Sequence, residues 1–264
     1  MPDTLCSAPF TASRHSVSRQ RRSRQRGFTL MELAVVLVVI GLILGAVAVG
    51  RDVQRNAVYQ RLSNEFVQGW LMGYDVYWNV TGRAPGDSAT APTGAVNASR
   101  ANATTAGTAL CDNTTNPAAA DSLLNVMLAA GIRLPQGRAE GQNNRYVYLD
   151  SNGNPQEVRV CFRNVMWAEP GATVGTYVSL PRNVMVLSGL TPSLARMIDA
   201  QIDTQADARF GRVREEGLAN STAITASRDW PSQDTVAFGD ASNTETRRDE
   251  DQVTVMTAYV LMAR

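Results

Sequence analysis

A long apolar run dominates the front of the chain. Residues 33–49 contain no polar side chain, and with residues 28–32 before them the run reaches 22 residues. That length is enough for an α-helix to cross about 30 Å of hydrocarbon. One carboxylate, Glu32, lies inside the front edge of the run. The pattern therefore predicts a membrane-spanning helix that carries an acidic side chain near its start.

A second helical pattern follows the apolar run without a helix-breaking signal. Its large apolar residues recur at a spacing of about four, as in an amphipathic helix: Tyr59, Leu62, Phe66, Val67, Trp70, Leu71, Tyr74 and Trp78. The opposite side carries polar residues: Arg55, Gln60, Asn64 and Gln68. We expect Gly82 and Pro85 to end this helix. The aromatic row is interpreted as packing core that a β-sheet covers, rather than as a ligand-binding box.

The next segment lacks a hydrophobic period. Residues 84–120 consist mainly of Ala, Thr, Asn, Gly and Ser, which predicts an irregular surface loop anchored by Cys111. Asp121 is then expected to cap a short helix that Gly131 closes. The five Asn-x-Ser/Thr triplets of the chain are interpreted as coincidence of composition.

Alternating apolar and polar positions predict β-strands in the rest of the chain. Residues 145–149 and 157–163 flank the turn sequence DSNGNP at 150–155, which predicts a β-hairpin with Cys161 on its second strand. Further strands are expected at 164–168, 183–188 and 252–262. The last of these is expected to close an antiparallel sheet.

Another helix is predicted to begin at Thr191 and Pro192, with an inner face made of Leu194, Ile198 and Ile202. Three acids follow at positions i, i+4 and i+8, which would put them on one helix face: Asp199, Asp203 and Asp207. A calcium-binding EF-hand loop needs acids at alternate positions around a central glycine. We therefore interpret these acids as a solvated face, and we predict no metal or cofactor site.

The charges are distributed unevenly. All 25 basic residues are arginine, and six of them precede Phe28 together with a single acid, Asp3. The rest of the chain holds 19 arginines and 23 acids, so a strongly basic surface for nucleic acid is not expected. Local patches remain open: Arg209, Arg212 and Arg214, or Arg247 and Arg248.

Candidate chemistry is sparse. The only histidine, His15, precedes Phe28, so the rest of the chain has no base for Ser-His or Cys-His catalysis. There is no lysine. These absences disfavour an enzyme, and no small-molecule substrate is predicted.

The arginines before the apolar run predict the orientation of the chain in a membrane. Positive charge stays on the cytoplasmic side, so the body after the run is expected to be exported. Cys111 and Cys161 lie in that body, where one disulfide would suit an oxidising compartment. Two unrelated buried thiols remain the alternative.

A signal peptide and an ordinary membrane anchor both fit the apolar run less well. A secretory signal peptide would have a shorter apolar region followed by a small-residue cleavage site. An ordinary single-pass anchor accounts for the arginines and the length, but it gives no reason for Glu32. A carboxylate is costly in hydrocarbon, so this acid is expected to have a compensating partner.

Residues 26–33 read RGFTLMEL, and this run resembles the processing site of type IV prepilins and type II secretion pseudopilins. The resemblance implies cleavage between Gly27 and Phe28 and N-methylation of Phe28 by a prepilin peptidase/methyltransferase. It also implies that Glu32 attracts the amino terminus of a neighbouring subunit. One departure is Val49, where major pilins usually carry a proline, although Gly41 keeps a small residue typical of the family.

The resemblance implies a type IV pilin-like α+β fold, with a long N-terminal helix packed on an antiparallel β-sheet head. The expected divisions are a leader at 1–27, a transmembrane or filament-core helix at 28–50, an amphipathic helix at 51–83 and an exported head at 84–264. The chain would sit in the bacterial inner membrane, with its N-terminus cytoplasmic and its head periplasmic, before assembly with other pilin subunits on the cell surface.

The expected function is that of a structural subunit of a type IV pilus. The long mature chain and the missing proline favour a minor or specialised subunit. The alternatives are a type II secretion pseudopilin, or a tip pilin with an adhesive or DNA-binding head.

Overall fold

The computed structural model describes residues 28–111, 122–139, 142–222, 228–231, 234 and 253–263. The chain divides into two compact units, Met1–Val49 and Gly50–Arg264. The predictions that fall on Gly27, on residues 112–120, on Asp121 and on Gln252 lie outside the described residues.

Helical structure begins where the apolar run begins. Helix α1 covers Leu30–Arg61, a π-helical turn follows at Leu62–Val67, and helix α2 covers Gln68–Thr81. Gly82 ends α2 in the left-handed conformation, and its backbone N–H donates to the carbonyl of Trp78 at 2.8 Å. This is the end that the sequence predicts, because glycine adopts a positive φ without steric cost.

The predicted apolar stripe is buried with one exchange of residues. Leu62, Phe66, Trp70 and Tyr74 are fully buried, but Trp78 is only half-buried and Tyr77 takes the inner position. Positions four apart drift by about 40° per turn on an ideal α-helix. The π turn has more residues per turn, so it reduces this drift at the start of the stripe. Helix α2 then has the ordinary α-helical period, and the drift resumes. The π turn itself was not predicted.

The sheet has five antiparallel strands in the order β1-β2-β3-β5-β4. Their bounds are, in chain order, Arg145–Leu149, Pro155–Pro170, Tyr177–Leu190, Val213–Glu215 and Met256–Leu261. The predicted strand at 164–168 is the continuation of β2 rather than a separate strand. The expected closing strand, β5, lies inside the sheet, because the short β4, which was not predicted, pairs with its outer side.

The β1–β2 hairpin forms where the turn sequence predicts it. The buried carboxylate of Asp150 accepts backbone hydrogen bonds from Asn152 at 2.9 Å and from Asn154 at 2.8 Å. Gly153 takes a positive φ of 85° in the same turn. An aspartate that binds its own loop in this way favours a tight turn.

The main core lies between the helix and the sheet. Phe162 of β2 meets Tyr74 and Trp70 with ring centroids 5.1 Å and 6.1 Å away, and Phe66 meets Tyr146 of β1 at 5.4 Å. Aromatic pairs at such distances add to the energy of apolar burial. The predicted α+β fold, a helix packed on an antiparallel sheet, is confirmed.

The segment after α2 is more deeply packed than the predicted surface loop. Asn164 of β2 donates from Nδ2 to Oδ1 of Asn183 of β3 at 2.8 Å, and both side chains are buried. These two amides also bind the loop backbone, with bonds to Gly94, Val96 and Ala101 of 2.8–3.1 Å. Buried polar groups need such partners, so the asparagine pair fastens the loop to the sheet.

A second anchor lies in the same loop at Asp87. Its carboxylate accepts the backbone N–H groups of Ser88, Thr93 and Gly94 and the hydroxyl of Thr93. Burial alone would raise the pKa of Asp87, but these hydrogen bonds outweigh it and lower the pKa below its ordinary value. The loop is thus held by its own acid as well as by the sheet.

The short predicted helix is α3, Leu123–Ala129. Its N-cap is Ser122, whose hydroxyl accepts from the N–H of Asn125 at 3.3 Å. The predicted cap, Asp121, lies outside the described residues. Gly131, with φ 73°, follows the helix as expected.

Helix α4 covers Pro192–Asp203 and has Thr191 as its N-cap, as predicted. The interpretation of its acids as a solvated face is wrong. Asp199 is fully buried, and the helix ends at Asp203, so Asp207 lies in the following loop rather than on the helix. Acids spaced at i, i+4 and i+8 share one face only where the helix continues through all three.

We expect Phe66→Ala to lower the free energy of unfolding of the unit Gly50–Arg264 by about 3–5 kcal/mol, because it leaves a cavity between helix and sheet. Met72→Ala, at an exposed position on α2, should change it by less than about 0.5 kcal/mol. Chemical denaturation of both variants measures the difference. Equal effects would contradict the burial of this stripe.

Candidate processing and assembly site

The predicted processing site lies just before the first turn of α1. Phe28 and Thr29 precede the first helical residue, Leu30, and the side chain of Phe28 is 83% exposed. Gly27, the other side of the predicted cleavage point, lies outside the described residues. Glu32 is an exposed acid in the first helical turn, where a negative charge is favoured by the helix dipole.

Thr29 and Glu32 cap the helix reciprocally. The N–H of Glu32 donates to Oγ1 of Thr29 at 3.2 Å, and the N–H of Thr29 donates to Oε2 of Glu32 at 2.9 Å. The Thr29 hydroxyl donates to the same carboxylate oxygen at 3.1 Å. This arrangement is a capping box, which satisfies backbone N–H groups that the first turn of a helix leaves without partners.

The capping box gives Glu32 a role inside its own chain that the sequence analysis missed. The signal was present as the spacing Thr-x-x-Glu in front of an apolar run. The box uses Oε2, whereas Oε1 takes part in no hydrogen bond among the described residues. Within the described residues, the carboxylate is therefore held through one of its two oxygens.

The helix behind this acid can cross a membrane by its length and composition. The stretch Leu30–Val47 has 18 residues, and none of it is buried by the rest of the described chain. An apolar core helix of a water-soluble domain would instead be mostly buried. A Cβ placed on Gly41 or Gly45 would meet no atom within 4 Å, so both positions present open helix surface.

Cys111 and Cys161 are joined by a disulfide, with their Cα atoms 4.6 Å apart. The neighbouring residues Leu110 and Phe162 form an antiparallel bridge. Together these links attach the end of the loop to β2. The cysteines contribute to the head and lie apart in sequence from the processing site.

The head offers little chemistry of other kinds. Within the described residues, no group of three or more His, Cys, Asp or Glu side chains could hold a metal ion. The possible nucleic-acid patch is also weakened, because Arg214 and Arg209 are only 6% and 7% exposed. Arg214 stacks on the Trp167 ring at 4.2 Å and donates to the carbonyl of Ala168. Arg247 and Arg248 lie outside the described residues.

Comparison with known proteins bears on the start of the chain. Residues 22–48 match a family described as the prokaryotic N-terminal methylation motif. This match confirms the resemblance carried by residues 26–33. No curated protein and no solved structure matches the chain.

We expect Thr29→Val to weaken the first turn of α1 by about 1 kcal/mol, because it removes the hydroxyl that caps the N–H of Glu32. The exchange of that amide with solvent should become roughly fivefold faster, as measured by NMR on the protein in detergent micelles. Thr29→Ser keeps a hydroxyl and should exchange like the wild type. If Val and Ser behave alike, the capping box does not stabilise the helix.

Proposed function

We propose that this chain, which carries the N-terminal methylation motif of type IV pilins and pseudopilins, is a structural subunit of a type IV pilus. In this proposal it is cleaved after Gly27 and N-methylated at Phe28. It is then held in the inner membrane by α1 before it joins other subunits. The observation that carries the proposal is the motif match at residues 22–48 over an unburied apolar helix.

The chemistry of Glu32 supports assembly through this helix. A carboxylate inside a bilayer costs roughly 2.5–3.5 kcal/mol at mid-membrane and less near the interface. The capping box satisfies one of its oxygens, but it leaves the negative charge uncompensated. Cleavage before Phe28 would create a positive amine, and the amine of a neighbouring subunit would neutralise the charge of Glu32.

Helix α2 carries a second surface that suits a neighbouring subunit. Met72, Val76 and Val80 recur at i, i+4 and i+8 on the outer face of α2 and are 60%, 47% and 63% exposed. Side chains at this spacing form a continuous apolar stripe along a helix. We propose that other subunits of the filament cover it.

We favour a minor or specialised subunit over the major one. The sequence has Val49 where major pilins usually carry a proline, and its head is large for a subunit repeated many times. A type II secretion pseudopilin is the closest alternative, since the motif is common to both systems. A tip subunit with an adhesive head is a further alternative, whereas the burial of Arg209 and Arg214 argues against DNA binding through that patch.

The maturation step is tested on protein isolated from cells with an active prepilin peptidase. We expect its N-terminal peptide to begin at Phe28 and to carry one methyl group on the amine, as measured by mass spectrometry. A Gly27→Leu variant, which places a bulky side chain at the cleavage point, should retain the residues before Phe28. An intact leader in the wild-type protein would contradict the proposed function.

Glu32→Gln separates the two roles of Glu32, because glutamine can still complete a capping box but carries no charge. If charge neutralisation drives assembly, Glu32→Gln and Glu32→Ala should both insert into the membrane and both be depleted at least tenfold from sheared filaments. Immunoblots of the membrane and sheared fractions measure this.

Two controls accompany the Glu32 variants. Glu65→Gln removes an exposed charge that pairs with Arg61, and it should assemble normally. Thr29→Val keeps the charge of Glu32 but breaks the box. Normal incorporation of Glu32→Gln, together with loss of Thr29→Val, would show that helix capping rather than charge directs assembly.

A further inference from the structure

Helix α4 ends in a pair of carboxyl groups that the proposed function does not use. Asp199 and Asp203 are one turn apart on the helix, and their carboxyl groups interact electrostatically. Asp199 is 0% exposed. A fully buried aspartate is rare unless a partner compensates its charge.

The two carboxyls hold the chain that follows the helix. Oδ2 of Asp199 accepts from the indole N–H of Trp230 at 2.6 Å and from the backbone N–H of Asp207 at 2.7 Å. Oδ2 of Asp203 accepts from the backbone N–H groups of Arg212 at 2.7 Å and Val213 at 2.9 Å. Three segments therefore converge on the pair: the helix end, the loop 204–212 and the chain at Trp230.

The loop backbone passes directly over Asp203. Gly211 has a φ of 83°, and a Cβ at this position would lie 2.4 Å from Oδ2 of Asp203. Any other residue would be strained by this positive φ and would displace the Asp203 carboxylate. Val213, which this carboxylate binds, begins strand β4, so the pair also positions the edge of the sheet.

One oxygen of the pair has no protein donor among the described residues. Oδ1 of Asp199 is buried and accepts no hydrogen bond from them. Two negative carboxylates one helical turn apart repel each other where water is excluded. A proton on one carboxyl would remove this repulsion and would supply a donor between the two groups.

We propose that Asp199 and Asp203 share one proton in the folded head and act as a pH-sensitive latch for the loop 204–212 and the segment at Trp230. Burial raises the pKa of Asp199 to about 7, the hydrogen bonds from Trp230 and Asp207 oppose this rise, and the charge of Asp203 adds to it. The latch is closed while the shared proton is bound and loosens when the proton leaves.

The charged side chains near the pair, Asp207, Arg209 and Arg214, have other partners. The carboxylate of Asp207 is engaged with the backbone N–H groups of Arg209 and Phe210. Arg209 donates to the hydroxyl of Ser221. Arg214 of β4 interacts electrostatically with Asp203 and Asp207, but its burial lowers its pKa. Its guanidinium donates hydrogen bonds to backbone carbonyls.

The direction of the pH effect follows from proton linkage. Asp199 keeps its proton up to about pH 7 in the folded head, whereas in the unfolded chain it loses it around its ordinary pKa of 3.8. Between these values the folded state binds about one proton more. Because of this group, the equilibrium constant for unfolding therefore rises about tenfold per pH unit, and this rise ends above pH 7.

The test uses the purified full-length chain in detergent micelles with a chelator present. Unfolding is followed by circular dichroism from about pH 5 to pH 8 for the wild type, Asp199→Asn and Asp203→Asn. Each asparagine keeps an oxygen for the loop amides and supplies an N–H in place of the shared proton. Asp199→Asn should therefore lose the tenfold-per-unit slope expected of the wild type between about pH 5 and pH 7, and Asp203→Asn, which leaves Asp199 buried, should reduce it.

Asp207→Asn is the matched control, since it removes an acid of the same loop that is outside the pair, and it should keep the wild-type slope. The indole N–H resonance of Trp230, assigned with Trp230→Phe, should titrate near pH 7 in the wild type and stay fixed in Asp199→Asn.

Two results would overturn the proposal. One is an unchanged slope in both asparagine variants of the pair. The other is stabilisation of the wild type, but not of Asp199→Asn, by a divalent cation added at pH 8 after removal of the chelator. That outcome would mean that a cation rather than a proton neutralises the pair.

Discussion

The contact between the inner face of the helix and strand β2 is the interaction on which the rest of the head depends. Phe162 stands at its centre, with Trp70 and Tyr74 packed around it. The two residues that flank Phe162 in the sequence attach the loop to β2. Cys161 forms the disulfide with Cys111, and Arg163 donates to the carbonyl of Gly107 at 2.7 Å. Strand β2 thus packs against the helix through Phe162 and holds the loop through Cys161 and Arg163.

Buried polar groups fix the position of the loops around this apolar contact. Apolar packing does not specify where an irregular loop lies, whereas the asparagine pair at Asn164 and Asn183 fixes the loop backbone by defined hydrogen bonds. The carboxylate of Asp87 does the same within this loop, and those of Asp150 and Asp203 do so at two others. Each would be costly to bury without its donors, so each loop and its acid stabilise one another.

Sequence patterns predicted the elements whose signals are local. The helix end at Gly82, the cap at Thr191 and the β1–β2 turn depend on residues within a few positions of one another, and all three were located correctly. The capping box at Thr29 was equally local and could have been found. The edge strand β4 and the burial of Asp199 could not, because each depends on residues that are distant in the sequence, such as the pairing of β4 with β5 and the contact between Asp199 and Trp230.

Glu32 and Asp199 show two solutions to one electrostatic problem, an acid in apolar surroundings. Asp199 is enclosed by its own chain, which supplies donors for one oxygen and a second carboxyl beside it, so a proton is the neutralising species that the fold provides. Glu32 also has one oxygen satisfied by its own chain, but the other has no hydrogen-bond donor among the described residues, and the stretch Leu30–Val47 around it is unburied. In the proposed assembly, this charge is neutralised by the amine of a neighbouring subunit. Under the proposed function, an acid with one satisfied oxygen on an exposed apolar helix would give the subunit additional stability when it meets a positive neighbour.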